Sequence, residues 1–181
     1  MPHHGRRLSQ RISEGDGIAV IVRVDDLASA RAAEDAGAKA IALVRSIDGI
    51  REATRLPLLW LGAGVPGGVD AVAFRPEEEA EAPEGLEAVA DVRDEDELEL
   101  ALELFDPEIF LLSALEHDDD VDPLDAVLEL LPDVPAGKLA IAQVDVTSRD
   151  EVLALERAGM DAVLVGSTRV HELVGHRPLD V

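Results

Sequence analysis

The side chains that could do chemistry in this sequence lie at the ends of its apolar runs. Asp91 and Gln143 are polar residues near the carboxyl ends of two mainly apolar runs. A carboxylate in such a place can act as a general base, and an amide can hydrogen-bond a ligand, so we predict that both are catalytic. Structural roles stay open: Asp91 as the partner of Arg23 or Arg93, and Gln143 as filler of a polar layer.

A second candidate site is the turn Gly166, Ser167 and Thr168, which follows the last apolar run. Backbone N–H groups at the start of a helix bind phosphate, so we predict that this turn binds phosphate. The alternative is an ordinary glycine turn with a serine cap.

We predict neither a metal site nor a cofactor. The acidic run 116–122 lacks the alternating spacing and central glycine of a calcium loop, and favours an acidic loop that leads into a helix cap. The chain also has no cysteine, which excludes thiolate catalysis and cysteine-ligated metals.

Charge and composition limit the partners. The 181 residues include 39 acidic and 16 basic side chains, a formal net charge of -23, yet 47% are hydrophobic. The hydrophobic share can form a core, whereas the charge repels phosphate backbones and anionic membranes. No run approaches the ~20 apolar residues of a membrane helix. We therefore expect a cytoplasmic monomer with no nucleic-acid or membrane partner.

Eight short apolar runs predict strands that are buried on both faces. The runs are 18–23, 39–44, 57–61, 70–74, 86–92, 108–112, 138–144 and 161–165. The segments 37–43, 68–74 and 159–165 repeat one pattern: a glycine, two residues, then alanine and an apolar run. This repeat indicates a recurrent turn into a strand.

Helix signals separate several of these runs. Leu98, Ala101, Leu102 and Phe105 follow the spacing of an amphipathic helix, and a second such helix is marked by Leu124, Val127, Leu128 and Leu131. Ser148 with Glu151 predicts a capping box, and Asp122 before Pro123 predicts a capped helix start. Gly37 and Gly159 are predicted helix ends.

Strands that alternate with helices predict a (β/α)8 barrel of minimal size. Such barrels typically need about 250 residues, whereas this chain allows roughly 23 per unit. We expect short loops and a reduced crossover at 62–69, after the third strand, and a solvated charge run at 76–84. A single domain would comprise an N-terminal segment (1–17), the barrel (18–175) and a tail (176–181). The alternative is a flavodoxin-like open sheet.

The segments 86–98 and 139–166 resemble the fifth, seventh and eighth units of indole-3-glycerol-phosphate synthases, and 18–23 resembles their first strand. The resemblance implies a TIM barrel that decarboxylates and cyclises a carboxyphenylamino-deoxyribulose phosphate, in tryptophan biosynthesis and without a cofactor. Asp91 would then replace the fifth-strand glutamate base, and Gly166 with Ser167 would match the phosphate-binding turn.

Other positions depart from the family pattern. Val20 and Val22 align with the first-strand glutamate and lysine, and Leu61 aligns with the third-strand lysine, the general acid. Gln143 replaces a seventh-strand glutamate, and 112–115 replaces polar residues of the sixth strand. We therefore expect a catalytically silent barrel with a small phosphorylated ligand. Residual or altered lyase activity and a partner-binding barrel remain alternatives.

Overall fold

The computed structural model describes residues 8–15, 17–78, 83–113, 120–166 and 173–174. Eight parallel strands pair in chain order, and β1 also pairs with β8, which closes the barrel. The strands are β1 (Ala19–Arg23), β2 (Ala40–Leu43), β3 (Leu58–Trp60), β4 (Ala71–Phe74), β5 (Glu87–Val92), β6 (Ile109–Ser113), β7 (Leu139–Gln143) and β8 (Ala162–Gly166). The predicted barrel is confirmed, and the open-sheet alternative is excluded by the closure.

Four of the described helices begin at a residue whose side chain caps the helix. The helices in the described residues are α1 (Leu8–Ser13), α2 (Leu27–Asp35), α3 (Ile50–Ala53), α4 (Glu95–Leu104), α5 (Pro123–Leu130) and α6 (Arg149–Ala158). The capping box of Ser148 and Glu151 begins α6, and Asp122 accepts from the N–H of Leu124 at the start of α5, as predicted. Gly159 ends α6 at φ 103°, where a side chain would be strained. Among the described residues, no helix has the length and apolar character to cross a membrane.

The strand residues divide into two apolar layers. The inner layer fills the barrel and consists of Ala19, Ile21, Ala40, Ala42, Leu59, Ala71, Val89, Ile109, Leu111, Ile141, Ala162 and Leu164. The alternate residues form the outer layer, which packs against helix residues such as Ala33, Leu98 and Leu155. Because side chains alternate along a strand, one step in register exchanges the two layers.

Helix α1 contributes to the inner layer from the amino-terminal end of the barrel. Its residues Leu8 and Ile12 are buried against the inner side chains. The N–H of Ser9, at the start of this helix, donates to a carboxylate oxygen of Glu87 at the beginning of β5, at 3.3 Å. Helix α1, which precedes the first strand, is thus part of the core.

The crossover from β3 to β4 is a loop, as its glycines and proline predicted. The indole N–H of Trp60 donates to the carbonyl of Gly64, which folds the loop back onto the end of β3. Gly62 lies in the middle of this turn, where a Cβ would be 2.4 Å from the carbonyl oxygen of Val44 and 2.8 Å from the Trp60 ring. The predicted charge run begins with a single 3-10 turn at Pro76–Glu78, and its residues 79–82 lie outside the described part of the chain.

We predict that Gly62→Ala destabilises the protein by about 1–3 kcal/mol, because the added methyl must displace a backbone carbonyl. Gly67→Ala in the same loop is the matched control, since a Cβ there meets nothing within 4 Å. Urea unfolding followed by circular dichroism measures both. Equal stabilities of the two variants would show that the turn does not need its glycine.

We also predict that Leu8→Ala costs about 2–5 kcal/mol, because it opens a cavity at the amino-terminal end of the barrel. Leu104→Ala on α4 is the control: its side chain is 52% exposed, and we expect a change of about 0.5 kcal/mol or less. Thermal and urea unfolding give the comparison. If both variants unfold like the parent chain, α1 is not part of the folded core.

Candidate functional site

The carboxyl ends of the strands surround a cavity of about 680 Å³. This end of a (β/α)8 barrel is where such proteins bind ligands. Its apolar lining residues include Val44, Leu61, Val65, Val72 and Phe74. Its polar lining residues are Arg23, Arg75, Glu78, Asp91 and Gln143. We call this cavity the mouth.

Three neighbouring strands place polar side chains in one hydrogen-bonded row. The Oγ of Ser113, at the end of β6, lies 2.7 Å from Asp91 Oδ1 on β5 and 2.8 Å from Gln143 Oε1 on β7. A hydroxyl has one proton, so Ser113 donates to one of these two oxygens at a time. The two predicted catalytic residues are thus brought together through a third.

Sequence reasoning treated Ser113 only as a replacement for a family residue. Its side chain is 3% exposed, yet both of the groups it contacts line the mouth. The available signal was its position: Ser113 is one residue past an apolar run, with the same inward orientation as Ile109 and Leu111. An inward polar residue at the carboxyl end of a barrel strand faces the ends of neighbouring strands.

The two β1 residues that align with the family's first-strand glutamate and lysine do not line the mouth. Val20 and Val22 belong to the outer layer, against the helices. The inward residues of β1 are Ala19, Ile21 and, at its carboxyl end, Arg23, which lines the mouth. The alignment missed this because matching residue types along a strand does not determine which face each one occupies. A guanidinium, rather than valine, is therefore the β1 side chain at the mouth.

Of the predicted phosphate site after the eighth strand, the structure describes only Gly166. Gly166 ends β8 beside Arg23, its register partner on β1, and is exposed. Ser167 and Thr168 lie outside the described residues, as do residues 116–119 of the acidic run. Phosphate binding by this turn stays a prediction. Within the described segments, no group of three histidine, aspartate or glutamate side chains could hold a metal ion.

A cluster of four charged residues supports the mouth beside β4 and β5. Glu97, on α4, accepts from the backbone N–H of Arg93 at 2.8 Å and from Arg93 Nε at 3.1 Å, and it also contacts Arg93 Nη2. Arg75, which follows β4, has its Nη2 3.5 Å from Glu97 Oε1. Glu77 Oε1 lies 3.5 Å from Arg93 Nη2. We call Arg75, Glu77, Arg93 and Glu97 the arginine–glutamate cluster.

The two carboxyls of this cluster have opposite pKa shifts. Burial raises the pKa of Glu97, but its hydrogen bonds with Glu77 and Arg93 outweigh burial, and the net result is a lowered pKa. The pKa of Glu77 is raised, because its carboxyl hydrogen-bonds to Glu97 and faces the negative charge there. Glu97 therefore carries the charge that the arginines require, and Glu77 takes up a proton more readily.

Comparison with known proteins connects this barrel to an enzyme family. No protein-family profile matches the chain. The indole-3-glycerol phosphate synthase of Variovorax paradoxus (strain S110) is 35% identical over 82 residues, which are 45% of this chain and 30% of that enzyme. The synthase of Geobacillus sp. (strain WCH70) is 29% identical over 84 residues, 46% of this chain and 33% of that enzyme.

The chain is a distant relative of the indole-3-glycerol phosphate synthases. The resemblance predicted from the sequence is thereby confirmed, although the match spans only about a third of the length of those curated synthases. Among solved structures, the N-acetylmannosamine-6-phosphate 2-epimerase of Clostridium perfringens superposes with a TM-score of 0.67 at 18% identity, covering 92% of each chain. At that identity the epimerase supports the barrel fold alone.

We predict that Glu97→Gln lowers the free energy of unfolding at pH 7 by roughly 1.5–3 kcal/mol, because Arg93 and Arg75 lose their buried carboxylate. A lowered folded-state pKa gives stability above the unfolded value and loses it as pH falls through the folded value. The difference between this variant and the parent should therefore shrink below about pH 4.5. Urea unfolding across pH measures it.

Glu77→Gln is the matched control. Its raised pKa means that the ionised form is disfavoured in the folded state, so removing the charge should not destabilise the protein at pH 7. Loss of stability in both variants to the same extent would contradict the division of charge within the cluster.

Proposed function

We propose that this barrel binds a small anionic ligand, such as a phosphorylated metabolite, and does not catalyse the ring closure of the indole-3-glycerol phosphate synthases. The observation that carries the proposal is the set of cations at the mouth. Its described lining residues include two arginines and no lysine. Leu61, which aligns with the family's general acid, is an apolar member of this lining.

Arginine can bind such a substrate but cannot replace a lysine acid. A guanidinium keeps its proton throughout the range in which proteins are folded, whereas a buried lysine ammonium can release one. General acid catalysis contributes typically ~10²- to 10⁴-fold to a rate. A mouth with Arg23 and Arg75 thus supplies attraction for an anion without supplying a transferable proton.

The local charge supports anion binding in spite of the total charge. The mouth has two arginines against the two carboxylates Glu78 and Asp91, whereas the whole chain has a formal charge of -23. The described lining of the mouth is therefore formally neutral, and an anion there meets less repulsion than the charge of the whole chain implies. The cavity volume and its half-apolar wall are those of a small-molecule site.

A second candidate is residual or altered lyase chemistry around Asp91. The observation in its favour is that a carboxylate survives at the fifth strand and lines the mouth. Against it, Oδ1 of Asp91 is occupied by the hydroxyl of Ser113, and Gln143 has no charge to add. An aspartate base would act with its second carboxylate oxygen.

We predict that the protein fails to restore growth of a tryptophan auxotroph lacking indole-3-glycerol phosphate synthase. With carboxyphenylamino-deoxyribulose phosphate, the purified protein should turn over at least about 10²-fold more slowly than a functional synthase, because the general acid is absent. Fluorescence of the indole product measures the rate, and a functional synthase expressed from the same vector is the positive control.

The Asp91→Asn variant separates the two candidates. Growth or turnover that disappears in this variant would establish the lyase and refute the silent barrel. Failure of the parent chain, with soluble and folded protein, supports ligand binding without ring closure.

A further inference from the structure

We propose that Arg75 is the residue that grips the ligand's oxyanion, from the β4 side of the mouth. This inference rests on the proposed function, anion binding at the mouth, and names the residue and the ligand chemistry responsible. Arg75 directly follows β4 and lines the mouth, with 27% of its side chain exposed.

Two of the three guanidinium nitrogens of Arg75 make no hydrogen bond within the described part of the chain. Its Nε and Nη2 are buried and have no hydrogen-bond partner among the described residues. Buried donors without acceptors cost free energy, and native proteins rarely leave two on one group. A ligand that brings a hydrogen-bond acceptor to the cavity would satisfy these donors and so bind favourably to the Arg75 guanidinium.

The arginine–glutamate cluster explains why these donors stay unused. Glu97 holds Arg75 by charge, at 3.5 Å, while the carboxylate oxygens of Glu97 accept hydrogen bonds from Arg93. Arg93 thus makes the hydrogen bonds with Glu97, and Arg75 makes only an ion pair with it. The result is a guanidinium that is held in place near the mouth and still able to donate.

The other mouth arginine has a different role. Arg23 ends β1 and is exposed, so it adds positive potential with little constraint on direction. Water around an exposed guanidinium weakens each contact, and salt screens its charge. Arg75 is therefore expected to contribute the directed contact, and Arg23 a general attraction.

The geometry of the group defines the ligand class. Two N–H donors of a guanidinium match two oxygens of a phosphate or a carboxylate in one plane. In the barrel order, β4 lies opposite β8, so this oxyanion site is separate from the turn at Gly166. A phosphate monoester and a carboxylate share this chemistry, and titration with each tells them apart.

The test is an NMR titration of the ¹⁵N-labelled protein with inorganic phosphate and, separately, with acetate at constant ionic strength. We expect saturable shifts of the amides of Ala73, Phe74 and Arg75, and a Kd that rises about tenfold or more in Arg75→Gln. Arg75→Lys should bind as weakly as Arg75→Gln, because an ammonium retains the charge but loses the planar pair of donors.

Two controls separate a directed contact from overall charge. Arg45→Gln removes a guanidinium that is 67% exposed and lies outside the mouth lining, and it should bind like the parent. Arg23→Gln should weaken both anions by only a few-fold, with a strong dependence on salt. Superimposable spectra away from the mouth establish that each variant is folded.

The outcomes distinguish the two proposals. If neither anion shifts any mouth resonance of the parent chain, anion binding at the mouth is refuted, and with it the role of Arg75. If the parent binds at the mouth and Arg75→Gln binds equally well, only the role of Arg75 is refuted. Binding by Arg75→Lys at the parent's affinity, or shifts confined to the amides near Gly166, would also overturn it.

Discussion

Closure of the eight strands is the constraint on which the rest of this structure depends. Once β8 pairs with β1, each strand residue must face either the barrel interior or the surrounding helices, and both environments are apolar. Parallel pairing aligns inward residues with inward residues, as in the pair of Ser113 with Gln143. A polar side chain with inward orientation is therefore tolerated only at the ends, where the mouth is. Asp91, Ser113, Gln143 and Arg23 all occupy that position.

The 181 residues of this chain close the same barrel with short connections, because some βα crossovers have a short helix or none. The crossover after β3 is a loop held by the indole of Trp60, and α3 is a single short turn of helix at Ile50–Ala53. Short connections bring their own residues close to the mouth. Arg75 is an example: it leaves β4 at the point where a longer βα loop would begin, and so its guanidinium becomes part of the wall.

Charge is arranged around the mouth against the trend of the whole chain. The arginine–glutamate cluster uses one buried carboxylate, Glu97, to hold two guanidinium groups, and the neighbouring Glu77 shares its hydrogen bond. Lysine in place of either arginine would offer a transferable proton, whereas guanidinium groups offer fixed charge and directed donors.

The sequence by itself determined the elements: apolar runs of strand length, amphipathic spacing and caps such as Ser148 predicted every strand to within one residue at each end. It also identified Asp91 and Gln143, through the positions at which the resemblance to the synthases places their fifth- and seventh-strand glutamates. Only the tertiary structure decided which face each residue occupies. Local periodicity does not give a strand's orientation in the barrel. The sequence therefore did not show that Val22 faces the helices, that Arg23 lines the mouth, or that Ser113 contacts two other strands. The positions of Arg75 and Glu97 depend on contacts between segments distant along the chain, which are set by closure of the barrel rather than by local sequence.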